Sequence, residues 1–124
     1  MAEKTRRTRV DCNEFVPRAA HVSIMGFQSR HPGWETINEH GAEKLRKQYS
    51  FGVFDAAIAF AEQILYLAKT EGHQPVIRLE RNTMRVTVTW WTKEIKGIHN
   101  QDLILAQKTD WLFQKERKQH WSFA

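Results

Sequence analysis

Apolar residues recur at three- and four-residue spacing from Val53 to Lys69: Val53, Ala57, Phe60, Ala61, Ile64 and Ala68. That period belongs to a helix. Phe54, Ile58 and Leu65 widen the stripe, so the helix needs cover on more than one side. Ser50 is the expected N-cap and Gly72 the expected stop. The period is two on either side of this helix. Trp34-Glu35-Thr36-Ile37 and the parity Leu45, Tyr49, Phe51 read as two strands joined at Asn38-Glu39-His40-Gly41. After Pro75, Ile77 and Leu79 alternate with Arg78 and Glu80. Asn82-Thr83 turns the chain, and Met84, Val86, Val88 and Trp90 alternate with Arg85, Thr87 and Thr89. This predicts a second hairpin with one apolar face. Asn100 or His99 caps a last helix carrying Leu103, Ala106, Trp111, Leu112 and Phe113.

The order is therefore β-β-α-β-β-α, which predicts an α+β fold: a four-stranded antiparallel sheet backed by helices on one face. From Glu14 to Gln28 the pattern is mixed. Val22, Ile24 and Gly26 fit a short strand, and Phe15, Val16, Ala19 and Ala20 fit a helical turn; periodicity leaves both open.

Length and charge narrow the picture. The 124 residues hold one domain, with residues 1–12 read as a disordered basic arm and residues 13–124 as the domain with a basic tail. The net charge of +5 gathers at Lys4, Arg6, Arg7 and Arg9 in front and at Lys115, Arg117 and Lys118 behind. No zinc-finger, helix-turn-helix or RNP-type pattern accompanies it, so nucleic acid is not an expected partner. Cys12 has no partner in the chain, which fits a reducing compartment. No apolar run approaches the roughly 18 residues a membrane span needs. No signal sequence is expected, and a cytoplasmic location is the default. His21, His31, His40, His99 and His120 lack metal-ligand spacing, so no metal and no cofactor are expected.

The candidate chemistry lies in Lys69-Thr70-Glu71-Gly72-His73-Gln74-Pro75, taken with Trp91 and Asp102. It has the frame of a proton-transfer site in which most proton carriers are missing. His73 titrates near neutrality. Gln74 hydrogen-bonds but does not titrate, and Trp91 only donates. Simpler roles stand beside these. His73 can cap the preceding helix, Asp102 can face the dipole of the helix it starts, and Trp90-Trp91 can be one core ring and one surface ring.

In its order and spacing this set resembles the signature of the pterin-4a-carbinolamine dehydratase family. There a charged residue precedes a His-His-Pro-like triplet by four positions. An aromatic, a His or Trp, and an Asp follow. Lys69, His73, Pro75, Trp91 and Asp102 hold those positions, and Gly97-Ile98-His99-Asn100-Gln101-Asp102 matches the start of the last helix. Gln74 departs from the pattern, and so does Arg81 where an aromatic is expected. The resemblance implies a sheet-and-helix fold and dehydration of a 4a-hydroxy-tetrahydropterin by histidine acid–base chemistry, without metal. Each well-placed acid or base contributes about 10²–10⁴ in rate, so losing two of three predicts a vestigial pocket. Glu71 is a carboxylate near enough to stand in as a base.

The eroded triplet, the Trp-Trp strand end, the lengthened loop from Thr92 to Lys96 and the basic tails resemble a subset of the family. That subset assembles Rubisco beside bacterial α-carboxysome genes. The resemblance implies a non-catalytic chaperone for the Rubisco large subunit, acting as a homodimer. Arg78, Arg81 and Arg85, read as a row on the polar hairpin face, and a solvent-facing Trp91 are the expected partner surface. Trp121 and Phe123 in the tail are further docking candidates. An active dehydratase and a dimerisation cofactor for a transcription factor are the alternatives.

Overall fold

The computed structural model describes residues 17–121. The expectations for the basic arm, Cys12, Phe15, Val16, Phe123 and the side chain of Trp121 lie outside the described residues. The elements are α1 (His21–Arg30), β1 (Glu35–Glu39), β2 (Ala42–Ser50), α2 (Phe54–Glu71), β3 (Val76–Glu80), β4 (Arg85–Trp90), a 3₁₀ turn (Lys93–Ile95) and α3 (Asn100–Trp121). The strands form one antiparallel sheet in the order β1-β2-β4-β3. The β-β-α-β-β-α core thus stands as the periodicities dictate, with one helix added in front.

That added helix decides the stretch that periodicity left open: Val22, Ile24 and Gly26 lie in a helix and not in a strand. Ile24 and Phe27 are buried, while Val22 and Met25 face out. Their three-residue step is a helical period that a window holding Gly26 obscures. Two boundaries also move. Ser50 ends β2 and does not cap α2; the N-cap is Val53, with no side-chain bond. Met84 belongs to the turn and takes φ 53, so β4 begins at Arg85. Gly72 does end α2, at φ 68 and ψ 30, the left-handed cap a side chain would resist.

Alternation places Leu45 and Tyr49 of β2 with Val86, Val88 and Trp90 of β4 on one face. They meet Phe60 and Ile64 of α2 and Leu105 and Ala106 of α3 in a single core. Phe51, Phe60, Phe113 and Tyr49 pack as a ring cluster with centroids 4.8–5.9 Å apart. Asp110 of α3 ties that helix to the sheet. It accepts from Trp34 Nε1 at 3.2 Å, Tyr49 Oη at 2.5 Å and Lys47 Nζ at 2.8 Å. Burial, with the Asp110 charge adding to it, holds the Tyr49 phenol well above its ordinary value, so the hydroxyl stays a donor.

The wide stripe of α2 is only partly covered: Leu65 is 57 % exposed and Tyr66 72 %. Phe60→Ala is therefore expected to cost about 3–5 kcal/mol in denaturant unfolding, whereas Leu65→Ala stays within about 0.5 kcal/mol. Equal costs at the two positions would contradict this division of the helix.

Candidate functional site

The site forms where α2 ends, β4 ends and α3 begins. Gly72 turns the chain out of α2, and the His73 amide closes that turn on the Ala68 carbonyl at 3.1 Å. The His73 ring is then free to leave the helix. It crosses to α3, where Nε2 lies 2.7 Å from Asp102 Oδ1. It stacks 6.0 Å from the Trp90 ring at an interplanar angle of 13°. Trp90 is itself buried and fixed through Nε1 to Thr109 Oγ1 at 3.0 Å. The ring of His73 is therefore a partner for Asp102 and not a cap for α2.

Asp102 is fully buried, while the His73 side chain keeps 20 % of its surface exposed. Two donors hold the far oxygen of the carboxylate: Thr92 Oγ1 at 2.7 Å and the His99 amide at 2.9 Å. The second bond is half of a capping box. His99 Nδ1 accepts from the Gln101 amide at 3.0 Å while Asp102 accepts from the His99 amide. The first-turn role expected of Asp102 and the partner role are one arrangement. His99, not Asn100, is the cap.

The hydrogen bond to Asp102 raises the His73 pKa above its ordinary value. Burial works against it. The Asp102 charge, a bond to the Trp91 backbone and the Glu94 charge add to the rise. The ring thus keeps its proton to a higher pH than a free imidazole would, and part of it remains exposed.

The remaining candidates divide. Gln74 is exposed and lines an open cleft of about 590 Å³ with Lys69, Leu65, Ala68, Gly72 and Pro75. Trp91 turns away from the core, half-buried, and Lys44 Nζ lies 4.1 Å from its ring centroid. Glu71, the stand-in base, is turned to Lys108 Nζ at 3.2 Å and Gln101 Nε2 at 3.4 Å. The arginine row does not stay together. Arg78 pairs with Thr87 and Arg85 with Glu80, so both lie on the sheet face away from the core. Arg81, in the turn, swings over the Phe54 ring at 5.7 Å. Six strand positions separate Arg85 from Trp91, about 20 Å, so they are two surfaces. Thr92 is the site residue that periodicity missed. The spacing of His99 to Asp102 was the available signal, since a capping box fixes where that carboxylate points.

Among the described residues no cluster of three or more metal-ligating side chains occurs, and no helix is long and apolar enough to cross a membrane.

Comparison with known proteins agrees with this geometry. The family model for pterin 4 alpha carbinolamine dehydratase matches residues 18–112. A protein of Syntrophotalea carbinolica with the provisional name pterin-4-alpha-carbinolamine dehydratase is 39 % identical over 92 % of this chain and 100 % of its own. One of Vibrio cholerae with the same provisional name is 48 % identical over 63 % of this chain and 70 % of its own. Two solved structures share the fold. A transcriptional coactivator/pterin dehydratase from Brucella melitensis has a TM-score of 0.66 at 23 % identity, covering 77 % of this chain and 98 % of that one. A pterin dehydratase-like protein described as a RuBisCO assembly factor in the α-carboxysome has a TM-score of 0.56 at 21 % identity, covering 67 % and 92 %.

The raised pKa makes a stability prediction. The His73–Asp102 ion pair contributes fully below the unfolded histidine value of about 6.5 and is lost as pH rises through the higher folded value. Denaturant midpoints should therefore fall between pH 6 and pH 9 in the parent protein, and fall less in His73→Gln. Parallel pH profiles for the two would remove the ion pair as the cause.

Proposed function

The chain belongs to the pterin 4 alpha carbinolamine dehydratase family, and on that premise we propose that it dehydrates a 4a-hydroxy-tetrahydropterin with His73 as the acid. The observation that carries this reading is the 2.7 Å contact between His73 and a buried Asp102. A vestigial site has no need to keep a carboxylate and an imidazole aligned behind an open ring face. In the proposed reaction the 4a-hydroxyl replaces the Trp91 backbone as the second hydrogen-bond partner of the ring, and the His73 imidazolium gives it that proton. The C4a–O bond breaks, water leaves, and the lone pair of the neighbouring ring nitrogen forms the C=N bond. A proton then leaves nitrogen, and the product is the dihydropterin plus water. Protonating the leaving group is the demanding half, and one acid supplies it. Trp91 and Gln74 take the binding half: the amide of Gln74 both donates and accepts, which suits the mixed edge of a pterin. No base other than water is required, since the departing N–H is acidic once the iminium has formed.

Purified protein should speed loss of the hydroxylated pterin over the buffer rate. His73→Ala should remove about 10²–10⁴ of that acceleration. The rate should fall as pH rises through the His73 pKa, because the acid is then spent. Parent protein no faster than buffer would end the dehydratase reading.

A second reading is assembly of Rubisco by binding its large subunit, in the bacterial cytoplasm beside carboxysomes. It is supported by an open apolar groove of about 600 Å³ between α2 and α3, where Tyr66 and Trp111 are 72 % and 64 % exposed. Non-titrating Gln74 is compatible with it. Co-expression should raise the yield of assembled Rubisco and co-purify the large subunit; Trp111→Ala should abolish both while leaving pterin turnover intact. Unchanged yield would dismiss it. Under either reading the working form is a homodimer, supported by the outer edges of β1 and β3. A monomer mass in sedimentation would count against that.

A further inference from the structure

Thr92 occupies a position that geometry, not motif spacing, makes important. It begins the loop after β4 and is 7 % exposed. Its backbone is locked first. The Thr92 amide donates to the Gly97 carbonyl at 2.8 Å, and the Gly97 amide returns the bond at 3.3 Å. Residues 92–97 are thereby closed into a ring around the 3₁₀ turn. The ring is held from outside as well. Arg18 donates to the carbonyls of Ile95 and Lys96, and the Ala19 amide donates to the Ile98 carbonyl at 2.7 Å. The backbone at Thr92 is therefore held in place, and burial leaves its hydroxyl a nearby acceptor.

That direction is toward Asp102 Oδ2, at 2.7 Å, and the same oxygen takes the His99 amide at 2.9 Å. The two donors saturate one side of the carboxylate. Only Oδ1 is left, and it faces the imidazole at 2.7 Å. We propose that Thr92 is a positioning residue for the proton-transfer site: its hydroxyl fixes Oδ2 and so dedicates Oδ1 to His73. The inference rests on the dehydratase reading for its catalytic meaning, and it deepens that reading.

The hydroxyl also acts on charge. A carboxylate buried without water is satisfied by its donors alone. When His73 loses its proton, Asp102 is left with an uncompensated charge, and Thr92 and the His99 amide carry the load. Removing the hydroxyl costs the deprotonated pair more than the protonated pair. The imidazolium then holds its proton harder and becomes a poorer acid. The charged groups acting on the ring agree in sign: Asp102 from α3 and Glu94 from the 3₁₀ turn both favour the imidazolium, while Glu71 at the end of α2 is engaged with Lys108 and Gln101. Thr92, together with the His99 amide, offsets this pull by spreading the Asp102 charge.

The test reads the His73 ring by heteronuclear NMR in the full chain without substrate, with His73→Ala to assign the signal. In Thr92→Val, which keeps the shape and loses the donor, the His73 midpoint should rise by about one pKa unit. Thr92→Ser should restore it. With pterin, Thr92→Val should lower kcat and leave KM nearly unchanged, and Thr92→Ser should recover kcat. A folded Thr92→Val whose His73 titrates at the parental pH overturns the proposal. If that variant does not fold, the parent itself decides. The Thr92 hydroxyl proton should shift with the same midpoint as the His73 ring, and a resolved hydroxyl proton indifferent to that titration overturns the proposal equally. Absence of turnover in the parent protein would end the dehydratase reading without touching the NMR result. Turnover with an unshifted Thr92→Val would retain that reading and end this one.

Discussion

A carboxylate with no exposed surface can remain charged only where donors replace the water it has lost. Asp102 meets that demand with Thr92, the His99 amide and His73, drawn from three different stretches of chain. The consequence is architectural before it is chemical. The loop after β4, the first turn of α3 and the exit from α2 must converge on one point or leave an unpaired charge inside the protein. The capping box of α3, the closed loop from Thr92 to Gly97 and the left-handed turn at Gly72 are the local structures that let them converge.

A second carboxylate does related work further along α3. Asp110 gathers Trp34, Lys47 and Tyr49, residues from before β1 and from β2. Two successive regions of one helix are therefore fastened by acids, Asp102 to the exit of α2 and the loop after β4 and Asp110 to the sheet, with the aromatic cluster around Phe60 packed between the helices and strands. The two differ in access. Asp102 has no exposed surface, whereas its histidine and Asp110 keep some.

The local sequence of this site looks poor in chemistry because two of its expected imidazoles are replaced. The geometry changes the weighting. Under the dehydratase reading one acid, His73, expels water from the carbinolamine, and an indole and an amide carry the binding. The open groove between α2 and α3 is a separate surface, lined by different residues. Trp111 and Tyr66 lie in the groove; His73 and Asp102 do not.

Periodicity by itself determined the β-β-α-β-β-α core and its order. The alternation of Val86, Val88 and Trp90 and the stripe of Phe60 and Ile64 each have one way to bury their apolar side, so pattern implies structure. It failed at α1, where Gly26 and a short apolar run fit two periods equally, and at Ser50, where a good capping residue was already committed to β2. The sequence also named His73, Gln74, Trp91 and Asp102 as candidates, through spacing that resembles a family signature. Only the tertiary structure decided what each does. It turned the His73 ring onto Asp102, separated Arg81 from Arg78 and Arg85, and brought in Thr92. The physical reason is range. A period reports which face of an element is buried, but a hydrogen bond between side chains 29 positions apart depends on where two elements end in space.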